Sequence, residues 1–182
     1  DDAFPVGAQF AGDKLSRTYA KDASHPADVY HADGTPVREI TLPTYGKLQF
    51  STDSKSPETF YSFSSFTYPA SVYSYDIATG ESKLFRQTEL QGFNSDDYVT
   101  EQVFYTSADG TKVPMFITYK KGLQRDGSNP VYLYGYGGFN ITLNPSFSAN
   151  RLMWLENGGI YAQANLRGGA EYGEPWHLAG TK

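Results

Sequence analysis

The sequence predicts a mixed architecture, a strand-rich first half followed by the opening of an α/β sheet. Three observations predict it. Four strand-like runs fall within about forty residues of the first half, separated by turn signals. A polar, turn-rich stretch at 92–97, Gly-Phe-Asn-Ser-Asp-Asp, then breaks that pattern. Beyond it, two alternating strands are followed by strand, loop, helix and strand, which is how an α/β sheet begins.

Composition is consistent with this. Of 182 residues, 39% are apolar, enough for a packed core, and 16% are aromatic, mostly Tyr (15) and Phe (12). These rings favour pleated, half-buried surfaces. The 18 Gly and 10 Pro suit many tight turns. Net charge is −5 with the signs well mixed. No Lys/Arg block marks a nucleic-acid or polybasic membrane surface. Apolar runs fall far short of the ~18 residues of a membrane span. There is no Cys, so disulfides and thiolate catalysis are excluded. The compartment, cytoplasmic or periplasmic, stays open. The start, Asp1-Asp2-Ala3-Phe4-Pro5, has no initiator Met and no basic or apolar leader. The end, Leu178-Ala179-Gly180-Thr181-Lys182, stops mid-pattern. The expectation is a piece of a longer, soluble protein.

Taken in order, 17–20 is a short strand. The run 27–31 turns at Asp33-Gly34 into 37–41, a hairpin signal. Next come 46–51, 59–64 and 70–76, the last turning at Thr79-Gly80 into 82–86. Four such strands fit one blade of a β-propeller, and the preceding segment fits most of another. A β-sandwich would give the same local signals. After the break, Tyr98–Thr106 turns at Asp109-Gly110 into 112–119. A polar loop at 122–129 leads to the compact apolar strand 130–134. A short helix at 148–156, carrying Leu152, Trp154 and Leu155, stops at Asn157-Gly158-Gly159. A buried strand at 160–165 runs into Arg167-Gly168-Gly169.

The segment Tyr134-Gly135-Tyr136-Gly137-Gly138-Phe139-Asn140 is the candidate site. Glycines interleaved with large rings at the end of a strand make a poor core and a good rim, since Gly lets another group approach the backbone closely. A glycine-rich turn with inward-packed rings is the competing reading. A dinucleotide fingerprint does not fit. Its third glycine would fall on Asn140, and 141–145 reads as loop where a helix should start. No serine lies in a G-x-S-x-G elbow. His25, His31 and His177 read as packing or surface residues, and no spacing suggests a metal.

From Asp109 onward the chain resembles the prolyl oligopeptidases. The words that carry the resemblance are Asp109-Gly110-Thr111-Lys112-Val113-Pro114, Leu133-Tyr134-Gly135-Tyr136-Gly137-Gly138-Phe139-Asn140, and Ala164-Asn165-Leu166-Arg167-Gly168-Gly169-Ala170-Glu171-Tyr172-Gly173 with Trp176-His177. Upstream, Ser64-Ser65-Phe66-Thr67-Tyr68-Pro69 resembles the last propeller blade of the same family. The resemblance implies a partial β-propeller over 1–93 and the N-terminal part of an α/β-hydrolase domain over 94–182. In the family the active site lies between the two domains. The triad Ser, Asp and His would fall beyond Lys182, so this polypeptide alone should be inactive.

The resemblance also implies a function. The full-length enzyme would be a serine oligopeptidase acting on short peptides at the carboxyl side of proline through an acyl-enzyme. It would need no cofactor or metal and would work as a monomer, with no nucleic acid or membrane as partner. Tyr136 matches the family's oxyanion donor, and Phe139 matches a wall of the proline pocket. Asn140 and Arg167 read as structural, Arg167 with a carboxylate such as Glu171 as a conceivable partner. Sister oligopeptidases with basic-residue specificity share the Arg-Gly-Gly stretch, whereas Gly137-Gly138-Phe139-Asn140 resembles the proline-specific branch. The alternative class is a non-enzymatic β-rich binding module with the aromatic-glycine loop as its rim.

Overall fold

The computed structural model describes residues 4–56 and 58–181. The chain divides into two compact units, Asp1–Leu90 with Asn144–Ser146, and Gln91–Leu143 with Phe147–Lys182.

The first unit is built from two four-stranded antiparallel meanders. One runs β1 (Phe4–Ala11), β2 (Lys14–Ala20), β3 (Ala27–His31), β4 (Pro36–Glu39). The other runs β5 (Lys47–Ser51), β6 (Glu58–Ser64), β7 (Ser71–Asp76), β8 (Ser82–Gln87). Each sheet uses only consecutive strands, with no exchange between sheets. That is the connectivity of propeller blades, and it is not the Greek key of a sandwich. Alternation drives the burial. In β5, Leu48 and Phe50 point inward between exposed neighbours, and in β6 Tyr61 and Phe63 are buried between exposed or half-buried neighbours. With Val29, Ile40, Tyr75 and Ile77 they form one apolar cluster fed by both sheets. Strand β8 is the exception, exposed almost throughout, with Phe85 resting edge-on against Phe60 at 5.3 Å.

Strand β1 was not expected from the sequence. Pro5 and Gly7 both speak against a strand interior. The structure accommodates them with an irregularity of register between these two residues. The first meander is therefore a full four strands.

The second unit has the sheet order β11-β12-β10-β9. Strands β9 (Tyr98–Thr106) and β10 (Lys112–Lys120) form a regular hairpin, and β12 (Ile160–Ala164) pairs antiparallel with β10. Strand β11 (Val131–Gly135) pairs parallel with β12, and α1 (Ala149–Glu156) connects them. Helix α1 buries Leu152 and Leu155. It stops at Asn157 and Gly158, the glycine at φ 80°, and Trp154 Nε1 donates to the Ile160 carbonyl at 2.9 Å. A Cβ on Gly159 would strike the Trp154 indole, so the turn into β12 needs a glycine there. Strand β12 is buried at every position, as expected for a strand covered on both faces. Strand β11 is exposed at every position, with Leu133 at 64%. A short helix α2 (Glu174–Leu178), not anticipated from sequence, follows, with Pro175 in its first turn.

Candidate active site

The aromatic-glycine loop begins where β11 ends. Gly135 closes the strand opposite Ala164, and the chain leaves the sheet at Tyr136. Ile141 N–H donates to the Gly138 carbonyl at 3.1 Å, closing a tight turn over residues 138–141. Its two central residues, Phe139 and Asn140, have φ of 53° and 57°. Two successive non-glycine residues in the left-handed region are strained unless their surroundings hold them.

The holding partner is the Arg167-Gly168-Gly169 segment after β12. Asn140 N–H donates to the Gly168 carbonyl at 3.1 Å. A Cβ on Gly137 would overlap the Arg167 carbonyl oxygen, and a Cβ on Gly168 would overlap the Gly137 carbonyl oxygen. The two segments therefore lie backbone on backbone. From the other side Gly168 N–H donates to the Trp176 carbonyl at 2.9 Å, and a Cβ on Gly180 would run into the Gly168 backbone. Trp176 Nε1 donates to the Leu166 carbonyl at 3.1 Å, and His177 Nδ1 lies 2.8 Å from the Gly168 carbonyl oxygen. His177 packs against the segment, as its sequence context indicated.

Arg167 fixes the segment laterally. Its guanidinium pairs with Asp109 and also donates to Thr111 Oγ1 and Ser107 Oγ, both at 3.2 Å. All three partners belong to the β9–β10 turn. This charge-assisted hydrogen bond holds the Asp109 carboxyl well below the usual carboxylate range.

Glu171 is not the partner of Arg167. Its side chain is fully buried, with Oε1 accepting from Leu143 N–H at 3.0 Å and Asn165 Nδ2 at 3.1 Å. Asn165 Nδ2 and Gln163 Nε2 donate to the Leu143 carbonyl at 2.8 and 3.2 Å. This polar knot secures the chain just after the aromatic-glycine loop. It also explains Gly169, whose missing Cβ leaves room for Glu171 Oε2. Nothing in the sequence marked this network, because its members are spread over 143–171.

Tyr136 and Phe139 stand on this platform. Tyr136 is 38% exposed and Phe139 84% exposed. Phe139 is thus not a core residue of this chain. The loop, held in place by Gly168, presents one phenol, a hydrogen-bond donor, and one open ring face. Among the described residues no cluster of His, Cys, Asp and Glu could hold a metal ion, and no helix is long and apolar enough to cross a membrane.

Comparison with known proteins gives the same fold and loop a lineage. Residues 1–88 match the model for the prolyl oligopeptidase N-terminal β-propeller domain, and residues 145–182 match that of the prolyl oligopeptidase family. The chain belongs to the prolyl oligopeptidase family. A prolyl endopeptidase of Elizabethkingia meningoseptica is 47% identical over 98% of the chain and 25% of its own length. A prolyl endopeptidase of Dictyostelium discoideum is 40% identical over 93% of the chain and 23% of its own. The solved apo prolyl oligopeptidase B of Galerina marginata superposes with a TM-score of 0.90 at 31% identity, over 99% of this chain and 26% of that one. The chain thus spans about a quarter of the length of these prolyl oligopeptidases. The two meanders are propeller blades, and the second unit is the start of a peptidase domain.

Proposed function

We propose that this chain is the part of a proline-specific serine oligopeptidase that carries its final propeller blades, over 1–93, and the first strands of its peptidase domain, over 94–182. In that role Tyr136 donates its hydroxyl hydrogen to the oxyanion, and Phe139 forms a wall of the pocket for the substrate proline. The substrates are short proline-containing peptides, and the whole enzyme works as a monomer. The observation that carries this reading is the rigid presentation of Tyr136 between Gly135 and Gly137, on a loop locked to Gly168.

The chemistry follows from charge. As a serine attacks the peptide carbonyl, negative charge builds on its oxygen. A donor already fixed at that place needs no reorganisation when the charge appears. The glycines beside Tyr136 let the loop lie directly on Leu166 and the Arg167 backbone, which fixes where the phenol stands. Proline is compact and apolar, and a ring face suits it. Among relatives, prolyl oligopeptidase B of Galerina marginata has been solved bound to a 35-residue substrate for hydrolysis and macrocyclization.

The test is Tyr136→Phe in a polypeptide that continues this segment to the full length of its relatives. The change deletes one hydroxyl and keeps the ring. Loss of one such donor lowers turnover by about 100- to 1000-fold. The loss falls on kcat, because the donor grips the transition state more than the ground state. A kcat within about threefold of the parent rejects the assignment.

A further inference from the structure

A polar cavity of ≈ 230 Å³ lies between the two blades of the first unit, lined by residues of β1, β2 and β5 together with His25. Its polar side chains are Gln9, Ser16, Thr18, His25, Lys47 and Gln49. Among the described residues that line it, none is acidic.

His25 and Lys47 are brought together by backbone pairing. His25 N–H donates to the Gly46 carbonyl at 3.0 Å, and His25 and Lys47 form an isolated parallel bridge between the two sheets. The His25 side chain is 5% exposed, yet its Nδ1 has no hydrogen-bond partner. A buried polar atom left unpaired is costly, and native structures usually supply it with a partner. Burial and then the Lys47 ammonium lower the His25 imidazole to about 4, and no carboxylate opposes them.

The hydroxyls in the wall are already committed as donors. Ser16 Oγ donates to the Gln9 carbonyl at 3.0 Å and Thr18 Oγ1 to the Gly7 carbonyl at 3.3 Å. Each keeps lone pairs free to accept. The wall therefore offers a cation, an imidazole and two amides on one hand, and hydroxyl acceptors on the other. We propose that this cavity binds a small carboxylate that carries an N–H or O–H donor on the neighbouring carbon. Lys47 and His25 would take the carboxylate, and Ser16 or Thr18 would accept from the donor. The volume sits below the usual range for drug-sized ligands, so it admits a single amino-acid-sized group. That group is either a free hydroxy or amino acid or the last residue of a peptide.

The experiment is a titration of this polypeptide followed by the ring signals of its three histidines. His25 is assigned by its loss in His25→Gln. Lactate, acetate, chloride, diglycine and diglycine amide are added separately, up to about 100 mM, where a millimolar site saturates. The expected result is a saturable shift of His25 with lactate, stronger than with acetate and absent with chloride. The affinity should fall about tenfold in Lys47→Met, which loses the charge-assisted bond. Diglycine shifting His25 while its amide does not identifies a peptide terminus as the source. Lactate alone doing so identifies a free acid. A shift that never saturates, equals that of chloride, or survives Lys47→Met unchanged means a water-filled cavity and overturns the proposal. Signal dispersion of Lys47→Met, compared with the parent, checks that the variant is folded.

Discussion

Arg167 and Asp109, 58 residues apart in sequence, are joined as an ion pair that ties the segment after β12 to the β9–β10 turn. The backbone of Arg167 and Gly168 is also the surface on which the Tyr136 loop rests. Arg167 is therefore a positioning residue for that loop, acting through Gly137 and Asn140.

In a full-length polypeptide, Arg167→Met should lower kcat by about tenfold, with KM changed by less than about twofold, because loop misplacement affects the transition state first. In a Tyr136→Phe background the same change should add almost nothing, since the group it positions is gone. A full, additive loss in the double variant shows that Arg167 serves general stability instead. If Tyr136→Phe alone has no effect, the oxyanion assignment fails and the Arg167 argument falls with it.

Phe139→Ala should weaken preference for proline. Removing one apolar wall from a pocket costs about 1–3 kcal/mol of discrimination. The ratio of kcat/KM on matched proline and alanine substrates measures it, and an unchanged ratio places Phe139 outside the pocket. Its left-handed backbone means that the alanine variant keeps the same strain, so the comparison isolates the ring.

Gly169→Ala tests the polar knot. The new methyl would collide with Glu171 Oε2 and sit 2.8 Å from the Ile141 carbonyl oxygen. Neither can move freely, because Glu171 is buried and hydrogen-bonded. A loss on the order of 2–4 kcal/mol is expected in urea unfolding. A loss under about 0.5 kcal/mol would show that the knot is soft.

His25 sets a pH dependence of stability. Its imidazole titrates near 6.5 when unfolded and at about 4 when folded. Above 6.5 it is neutral in both states, and its contribution to stability is complete. As the pH falls from 6.5 to 4, the unfolded chain takes up a proton that the folded chain refuses, so stability drops. The full loss is on the order of 3 kcal/mol. His25→Gln should flatten the slope of unfolding free energy across this window. An identical slope in the variant assigns the acid sensitivity to other groups.

The parts of the fold that were legible in sequence are those governed by local rules. Strands β9 and β10 alternate and turn at Asp109-Gly110, and α1 ends at Asn157-Gly158. The Tyr136 loop stood out because glycines and rings alternate at a strand end. Strand β1 was hidden by Pro5 and Gly7, whose local preferences the neighbouring strand β2 overrides through pairing. Helix α2 is five residues long, too short to show a period. The choice of Asp109 over Glu171 as partner of Arg167 depends on how β10 and β12 align, which no local pattern encodes. For the same reason the meeting of His25 with Lys47 was invisible, being set by the packing of one sheet against the next.

The stacked glycines 137, 168 and 180 have a consequence for how this sequence can drift over generations. At each of them the nearest atom an added methyl meets is main chain, although at 137 it meets the Leu166 Cβ as well. A side-chain obstacle can be trimmed by a second mutation, but a carbonyl oxygen is common to every residue and cannot be mutated away. The three positions thus form a locked set with no stepwise route out of it, and any lineage that varies the surrounding rings and charges must do so around this fixed thread of backbone.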